Sequence, residues 1–166
     1  MLKAFLLLNI ELENLLLHHH LHLTKESRMA AVYSDTLKTN RMQLVSDLTA
    51  GKVFAASTGT ASAGQLVIGT AALAGATGVL ATIALPTAPF VVSGTGTIVA
   101  TLQGTPLSAT ASATGTAAKA ELRNNGGTTV CSGLTVGTSG SDINLTSTSV
   151  TSGQTVTVTS GTITHG

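Results

Sequence analysis

The stretch that decides the fold is residues 117–137, AAKAELRNNGGTTVCSGLTVG. Residues 117–123 alternate between small or apolar side chains and charged ones: Ala118, Ala120 and Leu122 against Lys119, Glu121 and Arg123. A period of two predicts a strand with one buried face and one solvent-exposed face. On the exposed face we interpret Glu121 as a charge paired with its neighbours across the strands, not as a catalytic acid.

The residues that follow predict the second half of a hairpin. Asn125-Gly126 is a turn signal, and the returning segment places Val130, Leu134 and Val136 on one parity. Cys131 lies inside this segment and is the only cysteine of the chain. No intramolecular disulfide can therefore form, and we interpret Cys131 as a small apolar residue of the strand.

Segments of the same kind recur along the chain, separated by Gly, Ser and Pro: 52–57, 64–70, 79–85, 90–96, 97–104, 142–148 and 154–165. In the last of them Val156 and Val158 lie on the parity opposite to Ile163, which predicts a bulge near Gly161. Residues 71–78 fit either a loop or a single helical turn. Short strands bounded by turn residues predict a mainly β fold, a β-sandwich or barrel-like antiparallel sheet domain.

One α-helix is predicted N-terminal to the strands, over residues 34–50. Ser34 is a good N-cap, Asp35 complements the helix dipole in the first turn, and Gly51 suits the position after the C-cap. The apolar residues at helical spacing form one stripe: Leu37, Leu44, Val45 and Leu48. We expect this helix to cover one open end or edge of the sheet.

Residues 1–28 are predicted to be a non-native leader, either disordered or an isolated helix, ahead of a single β-rich domain at 29–166. Lys25 and Glu26 can be encoded as AAGGAG, a ribosome-binding tract at the right distance before Met29, so we expect translation to start at Met29. A signal peptide or a genuine structural helix is the alternative. The His tract at 18–22 is compositional and is not interpreted as a metal site.

The charge balance argues against two classes of partner. From Met29 onward the chain has five basic and four acidic residues, so no basic patch is expected to neutralise phosphates and nucleic-acid binding is not expected. No basic amphipathic stretch suggests binding to a membrane. Only 9% of residues are charged and 2% are aromatic. A surface of short hydroxyl side chains with few charges favours self-association, so we expect a homo-oligomer.

We predict no catalytic, cofactor-binding or metal-binding residues, and therefore no enzyme. Cys131 lacks a histidine partner apart from the terminal His165. Asp142 stands in a turn-like setting without a second carboxylate for calcium, so we interpret it as a turn residue. The Gly-rich segments 94–97 and 124–127 lack the phosphate-loop lysine and the dinucleotide-binding spacing, and we interpret them as turns.

Three motifs resemble a family of small tailed-bacteriophage proteins. Ser34 to Met42 is similar to S-D-x-x-[KR]-x-x-R-[LM], Val136 to Leu145 to V-G-[TS]-S-G-[AS]-D-[IL]-x-L, and Gly153 to Val158 to G-[QA]-T-V-[TS]-V. The resemblance covers roughly Ala31 to Gly166 and excludes residues 1–28. It implies a virion structural protein without catalytic residues.

The functional hypothesis from the sequence is a phage virion structural protein, a capsid decoration or tail-associated subunit located in the virion. It would act by adhesion to a major capsid or tail protein. One alternative is a carbohydrate- or receptor-binding surface module, for which the segment after Met29 offers only Tyr33, Phe54 and Phe90 as aromatic platforms. A second alternative is a secreted bacterial surface protein.

Overall fold

The computed structural model describes residues 33–52 and 61–165. The chain divides into two units, 1–32 and 33–166, and all described residues belong to the second. The predicted leader and the His tract therefore lie outside the described residues. So do residues 53–57 of the predicted strand 52–57.

One helix and eleven strands make up the described part of the chain. The helix, α1, spans Asp35–Thr49. The strands are β1 (Gln65–Ala74), β2 (Thr77–Ala84), β3 (Phe90–Thr95), β4 (Thr97–Leu102), β5 (Leu107–Thr110), β6 (Gly115–Thr116), β7 (Lys119–Arg123), β8 (Thr129–Gly137), β9 (Ile143–Leu145), β10 (Ser149–Val150) and β11 (Thr155–His165). The predicted fold class, mainly β with one N-terminal helix, is confirmed. Residues 71–78, for which a loop or a helical turn was expected, are instead the end of β1, a turn and the start of β2.

Nine strands form one sheet in the order β2-β1-β7-β8-β9-β11-β4-β3, with β5 also paired to β11. The short strands β6 and β10 pair separately. All neighbours are antiparallel except β8 and β9, which run parallel with Val136 opposite Ile143. The sheet is therefore mixed, whereas the sequence predicted an antiparallel one. The chain turns back on itself within the bend 138–142, so that β9 runs in the same direction as β8.

The sheet surrounds a single apolar core. Almost every strand contributes buried side chains to one contiguous cluster, which includes Leu66, Ile68, Leu80, Ile83, Phe90, Ile98, Leu102, Leu122, Leu134, Ile143, Leu145, Val156 and Val158, with Met42 from α1. Thirteen strand residues spread over both halves of the sheet can share one cluster only if the sheet curves around it. Aliphatic side chains dominate this core, in keeping with the scarcity of aromatic residues in the sequence.

The last strand, β11, joins the two halves of the sheet. Its segment 155–158 pairs with β5, and its segment 162–165 pairs with β4. The register against β9 shifts between Val158 and Ser160. This shift confirms the predicted bulge, because Val158 and Gly161 are both buried although they lie on opposite parities. The bulge lets a single long strand keep an inward face in both halves.

The predicted hairpin of β7 and β8 forms, with one change in β8. The turn closes through Asn124, whose Oδ1 accepts a hydrogen bond from the backbone N–H of Thr128 at 2.9 Å. The register shifts at Leu122, which lies opposite Cys131. Cys131 and Leu134 consequently both contact the core. Val130 shares its parity with Leu134 and Val136 but does not belong to the core cluster, because the register shift changes the alternation at this point of β8.

The outer face of β7 is covered in part, contrary to the prediction of a solvent-exposed face, although Lys119 is exposed. Glu121 is only 7% exposed, and its β1 neighbour Val67 is fully buried. The cause is the tip of the β1–β2 hairpin, where the register jumps between Gly69 and Ala74 and four residues of β1 bulge outward. Arg123, whose side chain lies on the outer face, donates a hydrogen bond to the carbonyl of Gly75 in this tip. The tip therefore folds back over the outer face.

Helix α1 begins and ends as predicted. Ser34 accepts a hydrogen bond from the backbone N–H of Leu37 at 3.3 Å, and Gly51 adopts a positive φ of 74° after the C-cap. The helix packs against the edge hairpin β3–β4 and against β8. Its apolar stripe was predicted incorrectly in part, because Leu37 is 44% exposed while Met42 is 5% exposed and lies in the core.

The helix also buries three polar side chains that do not belong to the predicted apolar stripe. Ser46, Asp47 and Thr49 are all less than a tenth exposed. Asp47 is paired with Lys52 at 3.0 Å, and the hydroxyl of Thr49 donates to the carbonyl of Val45 at 2.7 Å. Burial of polar groups is tolerated where each has a hydrogen-bond partner. The position of the sheet, more than the helix's own pattern, selects the buried face.

Candidate functional site

The longest charge-free segment of the chain supplies six of the eleven described strands. No Asp, Glu, Lys or Arg occurs between Lys52 and Lys119. Strands β1 to β6 all lie within this segment. Their outward side chains are therefore neutral, and most are Thr, Ser, Ala or Gly. A surface of this kind lacks the like-charge repulsion that keeps proteins apart.

Three strands at one end of the sheet form a neutral face with aligned side chains. Val91 of β3 lies opposite Thr101 of β4, and Thr101 lies opposite Thr162 of β11. The next row contains Ser93, Val99 and Thr164 in the same order. We call these six residues the uncharged face. The alternate residues of β4, Ile98, Ala100 and Leu102, point into the core.

The uncharged face is accessible in the protomer. Val91 is 53% exposed, one of the highest values for a large apolar side chain among the described residues. Thr101, Thr162 and Thr164 are exposed, and Val99 is half-buried. Small hydroxyl and β-branched side chains on neighbouring strands give a flat surface with methyl groups between the hydroxyls. Such a surface can be covered by a partner with little loss of side-chain entropy, because β-branched residues have few rotamers.

The hydroxyl pattern continues along β11. Thr155 lies opposite Thr110 of β5, and Thr157 lies opposite Ser108. Val156 and Val158 between them are buried. Cross-strand pairs of hydroxyl residues stabilise a sheet by a few tenths of a kcal/mol to about 1 kcal/mol. These residues thus have a structural role in the sheet as well as a place on its surface.

The turn between β3 and β4 is held by the start of the helix. The backbone N–H of Gly96 donates to Asp35 Oδ2 at 3.0 Å, and Lys38 Nζ donates to the carbonyl of Gly96 at 2.6 Å. Gly96 has a φ of 75°, which favours glycine. The predicted turn 94–97 is reduced to Gly96, because β3 continues to Thr95 and β4 begins at Thr97. The two nearby charges both bind the backbone of Gly96.

Two charged residues of β7 and one in the 138–142 bend are occupied by internal contacts, whereas Lys119 of β7 is exposed. Arg123 pairs with Glu121 at 2.8 Å, and both side chains are mostly buried. Asp142 Oδ2 accepts hydrogen bonds from the backbone N–H and the hydroxyl of Thr135 at 2.8 and 2.7 Å. Asp142 thereby ties the 138–142 bend to β8, in agreement with its interpretation as a turn residue.

Cys131 has the chemistry of a packed thiol. Burial raises the pKa of the Cys131 thiol, and the negative charge of Asp142 raises it further. A raised pKa leaves less thiolate at neutral pH, the opposite of what a nucleophile needs. His165 was the one histidine considered as its partner, and the side chain of His165 lies outside the described part. Within residues 33–52 and 61–165, no three His, Cys, Asp or Glu side chains are grouped closely enough to hold a metal ion.

The aromatic residues offer little platform for a sugar ring. Phe90 is 5% exposed and belongs to the core. Tyr33 is 44% exposed, but the guanidinium of Arg41 lies over its ring at 5.1 Å. Phe54, the third candidate, lies outside the described residues. Of the two described rings, that of Phe90 is therefore buried and that of Tyr33 is stacked on a cation.

Sequence reasoning did not single out the residues of the uncharged face. The available signal was the absence of charge between Lys52 and Lys119, combined with outward Ser and Thr on successive strands. What the sequence does not show is which strands are neighbours. Val91 and Thr162 share a row only because β4 lies between β3 and β11.

The comparisons with known proteins add no relative. The chain matches no protein-family model, no curated protein and no solved structure. The single described helix, α1, is not long and apolar enough to cross a membrane.

Proposed function

We propose that this protein is a structural subunit of a bacteriophage particle, a capsid decoration or tail-associated protein. It binds the major capsid or tail protein by non-covalent adhesion and is present in many copies. The uncharged face is the observation that carries the proposal. The resemblance of the motifs at 34–42, 136–145 and 153–158 to small tailed-phage proteins supplies the class of particle.

The physical argument concerns what an interface centre requires. The centres of specific protein interfaces are depleted of charged residues, since each buried charge must be desolvated. The uncharged face needs no such desolvation, and its Val91 and Val99 side chains supply apolar area. Its hydroxyl groups can pair with backbone groups of a partner at about 1 kcal/mol each. Repetition of this contact by particle symmetry multiplies a modest affinity.

The same surface is less suited to the alternatives. A carbohydrate-binding module stacks aromatic rings on the sugar, and the described rings of Phe90 and Tyr33 are buried or covered by Arg41. The uncharged face contains no aromatic residue at all. The alternative of a secreted surface protein depends on residues 1–28, which lie outside the described part of the chain.

Particle composition tests the proposal. Gradient-purified phage particles are analysed by mass spectrometry before and after a wash in concentrated NaCl. We expect the protein in many copies in both samples, because salt screens ion pairs and the uncharged face offers none. Absence from the particles would contradict the location. Loss in the salt wash would contradict adhesion through a neutral surface.

A substitution on the face localises the contact. Thr162→Glu places a charge at the end of the first row, at an exposed position where the cost to folding is small. The matched control is Thr82→Glu, on an exposed position of β2 at the opposite end of the sheet. We expect Thr162→Glu to reduce incorporation into particles at least tenfold and Thr82→Glu to leave it unchanged. Equal incorporation of both variants would refute the role of the face.

A further inference from the structure

Within the described residues, the nine-stranded sheet ends at β3. Strand β3 pairs with β4 over six consecutive residue pairs without a register shift. One edge of β3 is thus fully used, and the other edge carries backbone groups directed away from the sheet. The pairing pattern shows which groups these are.

The alternation of hydrogen bonds in β3 can be derived from one bond beside it. The backbone N–H of Gln103 donates to the carbonyl of Pro89 at 2.9 Å, so this pair is of the hydrogen-bonded type. Antiparallel pairs alternate between bonded and non-bonded types. The bonded pairs within the strand are therefore those of Val91 and Ser93 with β4. Phe90 and Val92 therefore direct their N–H and C=O groups to the free edge, whereas Gly94 has a φ of 125° and departs from regular strand geometry.

The edge of β3 lacks the usual protection against strand addition. Natural edge strands are protected by Lys, Pro, inward charges, bulges or a covering helix or loop. Strand β3 contains no Lys, Pro, charge or bulge. The helix α1, which packs against β3, places Met42 in the same core cluster as Phe90, on the inward face of the sheet. The other end strand, β2, differs. There the carbonyl of Leu80 accepts hydrogen bonds from the backbone N–H and the hydroxyl of Ser112, at 2.8 and 3.2 Å. The two ends of the sheet are thus unequal, and among the residues that the structure describes no segment pairs with the outer edge of β3.

We propose that β3 pairs with β3 of a second copy of this chain, antiparallel about a two-fold axis at Val92. Such pairing places Val92 opposite Val92 of the second copy, and this pair exchanges two hydrogen bonds. A second copy presents an edge of the same length and the same alternation, and no charged residue of β3 or β4 meets its equivalent. Val91, now 53% exposed, becomes adjacent to Ser93 of the second copy.

The dimer extends the proposed adhesive surface. The three strands β3, β4 and β11 of each copy become one six-stranded continuous layer, with the two uncharged faces side by side. The dimer does not depend on the phage assignment, because it is a property of the purified protein in solution. A protein that stays monomeric in solution would not contradict the proposed place in the particle. Absence of the protein from particles would not contradict the dimer.

Sedimentation of the full chain over a concentration series tests the pairing. We expect the wild type to reach the mass of a dimer and Val92→Pro to remain a monomer. The N–H of Val92 points away from β4, so proline there removes an outward donor without removing a bond to β4. A wild type that stays monomeric throughout the series would overturn the proposal, as would a Val92→Pro variant that dimerises like the wild type.

Two further measurements keep the test decisive if the proline variant folds poorly. Val91→Lys adds a positive charge beside the two-fold axis and should raise the dimer dissociation constant at least tenfold. Thr82→Lys on β2 is the matched control and should leave the dimer dissociation constant unchanged.

Amide hydrogen exchange provides a direct readout of the pairing. The N–H of Val92 should exchange at least tenfold more slowly in the dimer, whereas that of Ser93 should be protected at all concentrations. Equal exchange of Val92 in dilute and concentrated samples would contradict pairing through β3.

Discussion

Arg123 donates a hydrogen bond to the backbone carbonyl of Gly75, a residue 48 positions earlier in the chain. The same guanidinium binds Glu121 Oε2 through Nε at 3.1 Å and through Nη2 at 2.8 Å. One side chain therefore neutralises a buried carboxylate and holds the tip of the β1–β2 hairpin against the sheet. Glu121 Oε2 accepts a third hydrogen bond from the hydroxyl of Thr129, at 3.4 Å.

Removal of Arg123 should destabilise the fold strongly. Arg123→Met leaves the Glu121 carboxylate buried without its counter-charge and releases the Gly75 carbonyl. Removing one partner of a buried pair costs about 3–5 kcal/mol. We expect a decrease in the free energy of unfolding of about 3 kcal/mol, measured by urea titration.

The double variant separates charge from packing. Glu121→Leu combined with Arg123→Met removes both charges, and replacement of a buried pair by apolar residues is often close to neutral. We expect the double variant to be more stable than Arg123→Met alone. A double variant that loses the sum of the two single losses would show that the pair is not coupled.

Gly64 should be more sensitive to alanine than Gly75. A Cβ at Gly64 would lie 2.4 Å from the carbonyl oxygen of Thr49 and 3.0 Å from that of Arg123, so the end of α1 would have to move off the sheet. A Cβ at Gly75 meets nothing within 4 Å, although its φ of 57° is unfavourable for alanine. We expect Gly64→Ala to cost about 3 kcal/mol and Gly75→Ala about 1 kcal/mol, by thermal and urea unfolding. The reverse order would contradict the close contact of helix and sheet.

The docking of α1 should depend on Met42 and not on Leu37. Met42 is 5% exposed and lies in the core, whereas Leu37 is 44% exposed. Truncation of a buried methionine to alanine costs about 2–5 kcal/mol, and exposed positions cost within about 0.5 kcal/mol. Denaturant titration of Met42→Ala and Leu37→Ala gives the comparison. Similar losses for both would mean that the helix docks through its first turn.

The thiol of Cys131 should react slowly with an alkylating reagent, and its reaction rate should rise only at high pH. Its pKa is raised above the ordinary value of 9.0, first by burial and then by Asp142. Since the thiolate is the reactive form, the iodoacetamide rate of the folded protein should rise at a higher pH than that of the urea-unfolded chain. Asp142→Asn should shift the profile to lower pH.

The same thiol adds a pH dependence to stability. The folded state holds the proton of Cys131 more tightly than the unfolded state does, so this contribution is complete below the unfolded pKa. It is lost as the pH rises above about 9 and through the folded pKa. Cys131→Ala should lack this decrease. A wild type and a Cys131→Ala variant with the same slope of stability above that pH would contradict the raised pKa.

Local signals of the sequence were reliable where short-range chemistry decides the structure. The cap at Ser34 and the glycine at position 51 define the helix because they satisfy backbone groups within one turn. The β7–β8 hairpin is closed by contacts between residues that are no more than four positions apart, from Asn124 to Thr128. The bulge in β11 follows from the parity of Val158 and Ile163. Each of these features is determined by neighbours in the chain.

Predictions of which face is buried failed where the answer depends on the position of a distant segment. Glu121 has the pattern of a solvent-exposed strand residue, and it is buried because Gly75 and its hairpin fold over it. Leu37 has the pattern of a docking residue, and it is exposed because the sheet contacts α1 further along, at Met42. Alternation assigns residues to two faces, but it does not say what lies against either face.

The sequence by itself determined that this chain forms short strands around an aliphatic core, with one capped helix and a long charge-free segment. These follow from local propensity, period and composition. Only the tertiary structure decided the strand order, the parallel pairing of β8 with β9, and the rows that join Val91, Thr101 and Thr162. Strand order depends on which distant segments exchange backbone hydrogen bonds. Backbone groups are alike in nearly every residue, so the sequence alone carries little information about that choice.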